Sequence, residues 1–145
     1  MNRLKIASLE VSGVCLGAMN FGTTTPEKDA FEILDAFVAA GGNFIDTSNN
    51  YAHWQGTGDE SETVLGRWLA SRGNRDKVVI ATKVGFDRHG SGQGLKRSQI
   101  EYWIDESLKK LQTDYVDLYY AHTDDPDTPL EETMSAFDTL VKKGK

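Results

Sequence analysis

The sequence is short of the features that mark secreted, metal-binding and membrane proteins. Cys15 is its single cysteine, so it cannot carry a framework of intrachain disulfides or a cluster of thiolate metal ligands. No apolar run approaches the ~20 residues that a membrane-spanning helix needs. The first residues alternate between apolar and polar side chains, without the apolar centre of a signal peptide. We therefore expect a cytoplasmic protein that uses no metal ion.

Positive charge is scarce as well. Lys and Arg number 16 against 22 Asp and Glu, which gives a formal net charge of −6 at pH 7. No run of basic residues offsets this balance, so the sequence argues against a general affinity for nucleic acid or for an anionic membrane surface. A chain of 145 residues is long enough for one ordinary domain with its own hydrophobic core.

What the sequence does contain is a regular series of short apolar segments. Alternation over Leu4 to Val11 predicts a β-hairpin, with Ala7-Ser8-Leu9-Glu10 at or near the turn. Four apolar runs of strand length follow, and we expect each to be a buried strand: Val14 to Met19, Asn43 to Ile45, Val78 to Thr82, and Tyr115 to Ala121. Strands that are apolar throughout are typical of parallel sheets.

Amphipathic helices are predicted between these strands and after the last of them. A threonine followed by proline opens the first and the fourth helix, so Thr25 and Thr128 are the expected N-caps. The second helix opens at Asp59, with Glu62 three residues on as a possible partner in the cap. The predicted apolar stripes are Ala30, Ile33, Leu34, Phe37 and Val38; Val64, Leu65, Trp68 and Leu69; Ile100, Trp103, Ile104, Leu108 and Leu111; and Met134, Phe137, Leu140 and Val141.

A hairpin followed by four strand–helix units leaves two α/β folds open. One is a complete, doubly wound open sheet, and the other is a closed (β/α)8 TIM barrel. A barrel usually needs ~250 residues, whereas this chain has 145 and stops where a fifth strand would begin. In both folds the functional groups are expected at the carboxyl ends of the strands.

Four reactive side chains fall at that edge of the predicted sheet. Asp46, Lys83 and His122 each follow a buried strand, and Tyr51 lies on the loop after Asp46. A nearby ammonium favours phenolate and lowers the pKa of a tyrosine, whose ordinary value is ~10. A phenol tuned in this way can protonate a developing alkoxide, and a histidine beside it can orient a carbonyl. The set predicts a carbonyl-reducing site that takes its hydride from a nicotinamide cofactor.

Each of these residues also has an ordinary structural explanation. Asp46 would cap the loop after its strand, Lys83 would be solvated, and His122 would hold a structural hydrogen bond. The coincidence of four such residues on three successive strand ends favours catalysis. The glycines in the segment from Gly85 to Gly94 lack the spacing of a phosphate-binding loop, so a mobile loop over the edge is expected there.

Longer runs surround these residues: Asp46-Thr47-Ser48-Asn49-Asn50-Tyr51, Glu60-Ser61-Glu62 to Gly66, Ala81-Thr82-Lys83-Val84-Gly85, and Ser107 to His122. Over essentially the whole chain, they resemble the aldo/keto reductase superfamily, in particular the bacterial and plant reductases related to potassium-channel β subunits. The resemblance implies a (β/α)8 barrel closed at its amino end by a hairpin, a carbonyl substrate reduced to an alcohol, and NADPH, less often NADH. It also implies that Tyr51 donates the proton, that Lys83 and Asp46 tune it, and that His122 orients the carbonyl.

Further site residues are implied by the same resemblance. The expected NADP(H)-binding residues are Gly17, Ala18, Met19 and Asp46. The expected residues of the substrate pocket are Asn20, Phe21, Trp54 and His122. Ordinary packing at the rim is the alternative for Phe21 and Trp54. His53 and His89 are expected to be exposed to solvent, and Asp117 is expected to be structural.

The length departs from the family, whose barrel would continue with four more strands. Residues 1–145 are therefore interpreted as a single partial domain, the first half of a barrel, without the residues that bind the 2′-phosphate. We favour a fragment of a longer protein over a deliberate half-barrel or a chain that dimerises. Exposed strand edges and an apolar face favour self-association or pairing with a carboxyl-terminal half. A regulatory nucleotide-binding subunit and an inactive half-barrel are the alternative functions.

Overall fold

The computed structural model describes residues 1–86 and 94–145, and it begins with the predicted hairpin. Strands β1 (Arg3–Ile6) and β2 (Leu9–Ser12) pair in antiparallel register, with Ile6 opposite Leu9. The turn is therefore the two residues Ala7 and Ser8, and Ala7 adopts a φ of 52°. Leu9 and Glu10, which we placed at or near the turn, already belong to β2.

The described residues then form one sheet of parallel strands, each followed by a helix. The strands are β3 (Cys15–Gly17), β4 (Phe44–Asp46), β5 (Val79–Val84) and β6 (Leu118–Ala121). The helices are α1 (Glu27–Ala39), α2 (Glu60–Arg72), α3 (Arg97–Leu111) and α4 (Leu130–Lys142), with a short 3-10 helix at Arg75–Lys77. Among the described helices, none combines the length and the apolar content needed to cross a membrane.

The order of the strands decides between the two predicted folds. The sheet runs β3-β4-β5-β6, in the order of the sequence, and neighbouring helices contact each other in the same order. A doubly wound sheet reverses its strand order at a switch point, and the sheet described here has no such reversal. The chain therefore folds as a hairpin and four βα units of a (β/α)8 barrel, as predicted.

The hydrophobic core lies between the sheet and the helices. Ile45 and Ile80 point from the sheet into a cluster with Leu34 and Trp68. A second cluster joins Val84 of β5 to α3 and α4. The predicted stripes of α2 and α3 are buried apart from Trp103, which is half-buried. Removing these apolar side chains from water is the main favourable contribution to the stability of the fold.

The predicted burial is wrong for the two edge strands of the described sheet, β3 and β6, and for parts of the helices α1 and α4. The predicted strand from Val14 to Met19 shortens to β3, and Val14 is 56% exposed. On α4, Met134 and Val141 are exposed at 59% and 77%. The reason is positional: β3 has a neighbour along one edge in the described sheet, and α4 packs on α3 at the other end. Ile33 of α1 is exposed for the same reason.

The predicted threonine caps are also wrong, by one residue. Pro26 and Pro129 take the N-cap positions of α1 and α4, and neither helix has a side-chain cap hydrogen bond. Thr128 instead donates a hydrogen bond of 2.6 Å to the Asp125 carboxylate. Asp59 is the N-cap of α2 as predicted, without a side-chain cap bond. Proline fixes φ near the helical value, so it satisfies the geometry of the helix start by itself.

Candidate active site

The parallel register brings the predicted residues to one edge of the sheet. Asp46 is the last residue of β4 and pairs with Ala81 of β5. Lys83 follows Ala81 by two residues, so its side chain lies on the same face of the sheet. His122 directly follows β6, and its amide donates to the Val84 carbonyl at 2.7 Å. The three side chains therefore leave neighbouring strands at the same end, as the strand-end rule predicts.

Lys83 is the centre of the cluster. Its ammonium donates to Asp46 Oδ2 at 2.8 Å, to the Thr47 carbonyl at 2.7 Å and to Tyr51 Oη at 2.5 Å. An ammonium has three N–H donors, so these contacts account for all of them. The Lys83 side chain is 13% exposed. The amine is thereby held in one orientation, against both the phenol and the carboxylate.

Tyr51 differs from the sequence-based expectation in one respect. Its hydroxyl donates to Asp46 Oδ2 at 2.6 Å. Burial raises the pKa of Tyr51 well above its usual range, and the hydrogen bond to Asp46 raises it further. We expected the nearby ammonium to lower this pKa. The expectation is wrong because burial and the carboxylate both favour the neutral phenol, and Tyr51 keeps its proton at neutral pH.

The pKa values of Lys83 and His122 shift in the opposite direction, downwards. Burial lowers the pKa of Lys83, and the hydrogen bond to Asp46 works against this shift. Burial also lowers the pKa of His122, as does the charge of Lys83. His122 is therefore a neutral imidazole at pH 7, able to donate from one ring nitrogen.

His122 lies on the open side of the cluster. Its ring centroid is 6.1 Å from that of Tyr51, with the rings nearly perpendicular. Its Nδ1 lies 3.3 Å from the hydroxyl of Ser48, which in turn donates to Asn50 Oδ1 at 2.6 Å. Ser48 and Asn50 therefore orient the imidazole. The predicted meeting of four side chains at one edge of the sheet is thus what the structure contains.

Sequence reasoning assigned no role to the polar residues between Asp46 and Tyr51. Thr47, Ser48, Asn49 and Asn50 are all at most 3% exposed. An uninterrupted polar run that directly follows a buried strand was the available signal, because buried polar groups require hydrogen-bond partners. Among the residues described, Asn49 Oδ1 is buried without such a partner.

Aromatic side chains extend the site away from the four side chains Asp46, Tyr51, Lys83 and His122, which we call the tetrad. Phe86 lies 5.6 Å from His122, and His53 lies 6.1 Å from Phe86, measured between ring centroids. Trp54 packs edge to face on His53 at 5.2 Å and is 61% exposed. We define these three residues, Phe86, His53 and Trp54, as the aromatic row. His53 and Phe86 were not predicted as parts of the site, and His53 is half-buried where we expected exposure to solvent.

The floor beside Asp46 is open. Gly17 pairs with Asp46 in the sheet, and a Cβ added to Gly17 would meet no atom within 4 Å. Ala18 is buried and donates its amide to the Asp46 carbonyl at 2.8 Å, whereas Met19 is 40% exposed. The space over Gly17 is therefore free of protein atoms and adjoins Asp46, which is compatible with a bound group at this point.

The remaining predicted residues lie in different surroundings. Asn20 is exposed, and Phe21 is 4% exposed and packs within the hydrophobic core cluster. Asp117 accepts hydrogen bonds from Arg75 and from the Ile80 amide, which agrees with a structural role. His89 and most of the glycine-rich segment from Gly85 to Gly94 lie outside the described residues.

The sequence matches known proteins along most of its length. A family model described as the aldo/keto reductase family matches residues 13–145. Norsolorinic acid reductase stcV of Emericella nidulans is 43% identical in an alignment of 155 positions that covers 97% of this chain and 39% of that protein. An uncharacterized oxidoreductase of Bacillus subtilis, YrpG, is 42% identical in an alignment of 144 positions that covers 94% of this chain and 44% of that protein.

A solved structure agrees with these matches. The holo form of the aldo-keto reductase AKR11C1 from Bacillus halodurans superimposes with a TM-score of 0.84 at 32% sequence identity. The superposition covers 99% of this chain and 47% of that one. The chain thus spans less than half the length of each of these similar proteins.

Proposed function

Because this chain belongs to the aldo/keto reductase family, we propose that it is the catalytic half of an oxidoreductase that reduces aldehydes or ketones to alcohols. The observation that carries the proposal is the position of Lys83 Nζ, which is bonded to both Tyr51 Oη and Asp46 Oδ2. A surface lysine would not be enclosed in this way. The chain is then a single partial domain that works in the cytoplasm.

In this proposal Tyr51 is the proton donor. Its phenol stays protonated at neutral pH, so it has a proton to deliver to the oxygen of the reduced carbonyl. Lys83 then stabilises the phenolate left behind, because its ammonium already donates to Tyr51 Oη. Asp46 holds both groups through one carboxylate oxygen. Turning the Tyr51 hydroxyl away from Asp46 is the step that makes the proton available.

The hydride donor is proposed to be NADP(H), held by Gly17, Ala18, Met19 and Asp46 on the open floor beside the tetrad. When bound, the nicotinamide supplies the hydride, which no protein side chain can provide. The open space over Gly17 and its register with Asp46 support this placement.

The substrate is proposed to lie between His122 and the aromatic row. His122 is held by Ser48 and faces the open side of the cluster, where it can hydrogen-bond a carbonyl oxygen. Asn20, Phe21 and Trp54 remain proposed contacts of the substrate, and Phe86 and His53 join them. Exposed rings next to a proton donor are suited to a substrate with an apolar or aromatic body.

The alternative functions differ in what they retain. A regulatory subunit would bind nucleotide without turnover, and an inactive half-barrel would do neither. The exposed edges of β3 and β6 support self-association, or pairing with a carboxyl-terminal half, as proposed ways to complete the site.

Tyr51→Phe tests the proposed function. We expect the variant to lose at least ~100-fold in kcat, the usual contribution of general acid catalysis, while native tryptophan fluorescence still reports NADPH binding. The assay uses the whole chain, NADPH and an aromatic aldehyde, over a range of protein concentrations. Turnover that survives in Tyr51→Phe contradicts the proposed role. Binding without turnover in the unmodified chain favours the regulatory subunit, and absence of both favours the inactive half-barrel.

A further inference from the structure

The first turn of α2 is bonded to the ends of three successive strands. Ser61 Oγ donates to the carbonyl of Ala18, just after β3, at 2.8 Å. The same hydroxyl shares a hydrogen bond of 2.7 Å with Thr47 Oγ1, just after β4. Glu62 Oε1 accepts a hydrogen bond of 2.6 Å from Thr82 Oγ1 in β5. Ser61 and Glu62 are both fully buried.

Each of these bonds ends next to a residue of the candidate site. Thr47 follows Asp46, and its carbonyl accepts from the Lys83 ammonium at 2.7 Å. Thr82 directly precedes Lys83, and its side chain leaves the opposite face of β5, since side chains alternate along a strand. The hydrogen bonds from α2 therefore reach the helix-facing side of the sheet next to Asp46 and Lys83, whose side chains lie on the other side.

We propose that Ser61 and Glu62 are positioning residues, which hold the ends of β3, β4 and β5 in register so that Asp46 and Lys83 meet Tyr51. The inference rests on the proposed function, because register at this edge matters for catalysis only if the tetrad reacts. Active-site groups need placement within a fraction of an ångström, and such placement depends on a supporting shell of hydrogen bonds.

Helix capping does not explain Glu62. The N-cap Asp59 has no side-chain cap hydrogen bond, and the carboxylate of Glu62 points to Thr82 in the sheet instead of back to the start of the helix. Lys110 of α3 lies 3.7 Å from Glu62 Oε2 and 2.7 Å from Asp59 Oδ1. A buried carboxylate with a cation at this distance is a specific arrangement that hydrophobic packing alone would not need.

Glu62 also acts on Lys83 through its charge. Burial raises the pKa of Glu62, while Lys110, Thr82 and Ser107 work in the opposite direction. The negative charge of Glu62 is in turn one of the influences that raise the pKa of Lys83 against the effect of burial. Removal of this charge is therefore expected to lower the pKa of Lys83 further.

The test compares Glu62→Gln with Leu69→Ala in the whole chain. Gln keeps the size of Glu62 and loses the charge, whereas Leu69, 3% exposed in the last turn of α2, has no bond to a strand end. The pKa of Lys83 is measured by NMR of lysine labelled at Cε and Nζ, with the signal assigned by its loss in Lys83→Arg. We expect a lower pKa in Glu62→Gln and the unmodified value in Leu69→Ala. This readout requires no turnover, so it stands apart from the proposed function.

A second pair of variants tests the hydrogen bonds. Ser61→Ala and Thr82→Val are expected to speed amide hydrogen exchange at Ala18 and Thr47, and to lower any kcat roughly 2- to 10-fold, the equivalent of one lost hydrogen bond. Exchange in the hairpin should not change. The inference is overturned if exchange at Ala18 and Thr47 is unchanged in Ser61→Ala and Thr82→Val, or if exchange accelerates equally in the hairpin.

Discussion

At the scale of single residues, the site is governed by burial more than by charge pairing. Tyr51 and Lys83 are within hydrogen-bond distance, yet burial is the largest influence on the pKa of each. Burial favours the neutral form of both groups, because an unsolvated charge is costly. Asp46 opposes this for Lys83 and reinforces it for Tyr51. One carboxylate oxygen therefore keeps the phenol protonated and the amine charged.

Glu62 predicts a pH dependence of stability. Its pKa is raised in the folded chain, so its contribution to stability is present below the unfolded pKa of ~4.3 and is lost as the pH rises through the folded pKa. Lys110, Asp59, Thr82 and Ser107 are the groups that face it. We expect the free energy of unfolding of the unmodified chain, relative to Glu62→Gln, to fall as the pH is raised from 4 to 8. Urea denaturation of both proteins across this pH range measures the difference in their free energies of unfolding. A difference that does not change with pH contradicts the prediction.

A substitution at Gly17 is expected to change NADPH binding without changing the stability of the fold. A Cβ at this position meets no atom within 4 Å, so Gly17→Ala should change the free energy of unfolding by less than ~0.5 kcal/mol. The added methyl occupies the floor beside Asp46 and should weaken NADPH binding, measured by tryptophan fluorescence. Gly73→Ala is the matched control: Gly73 has a φ of 57° at the end of α2, so alanine there should destabilise by ~1 kcal/mol and leave binding unchanged.

At the scale of secondary-structure elements, α2 is the helix that connects the core to the site. Its apolar stripe is buried against the sheet, and its first turn bonds the strand ends. Its middle approaches α3 closely at Gly66, where a Cβ would lie 2.0 Å from the Lys110 carbonyl. This contact also sets where Lys110 stands relative to Glu62.

Gly66 therefore predicts a steric cost. Alanine is favoured over glycine within a helix by ~1 kcal/mol, so an open site would be stabilised by Gly66→Ala. In this protein we expect Gly66→Ala to be destabilising by ~1–3 kcal/mol, which is typical of overpacking, because the backbone of α3 must move to make room for the methyl group. Ala70→Gly, on the exposed side of α2, reports the intrinsic propensity in the same helix. Chemical denaturation of both variants gives the comparison, and a more stable Gly66→Ala would show that α2 and α3 are farther apart.

Local sequence signals predicted these elements with errors at their ends. The stripe of α2 is as expected, because it follows from helical periodicity, and the helix ends at Gly73 in the left-handed conformation. The prediction of Thr25 and Thr128 as N-caps is wrong because the next residue in each case is a proline that can occupy the N-cap position. The local sequence pattern does not say which of the two residues is the N-cap.

At the scale of the whole molecule, the sheet face that carries Cys15 and Tyr120 is exposed at both edge strands. Cys15 of β3 is exposed, and Tyr120 of β6 is 38% exposed. In the described sheet β3 and β6 are the edges. An exposed face of this kind favours contact with another protein surface, which agrees with the proposed self-association or pairing.

Cys15 offers a measurement of that contact. Cys15 is exposed as a residue, but neighbouring atoms of the sheet partly bury its sulfur. This partial burial and the charge of Asp46 raise the pKa of the thiol to about 11, so alkylation should be slow at pH 7 and faster at higher pH, because the thiolate reacts. If association covers the sheet face that carries Cys15, the alkylation rate should fall as the protein concentration rises. A Cys15→Ser, Ser8→Cys variant, labelled at the hairpin turn, should react at a constant rate. If light scattering detects dimers but the alkylation rate of Cys15 does not change with protein concentration, the dimer contact lies on another surface.

Local sequence patterns were enough to predict the order of the elements and the cluster of Asp46, Tyr51, Lys83 and His122. Both follow from local physics, since periodicity specifies helices and strands, and parallel strands present their carboxyl ends together. The raised pKa of Tyr51, the partner of Glu62 and the exposure of β3 became known only from the folded chain. These properties depend on burial and on neighbours that lie 20 or more residues away, as Thr82 does from Glu62, and no local pattern carries that information.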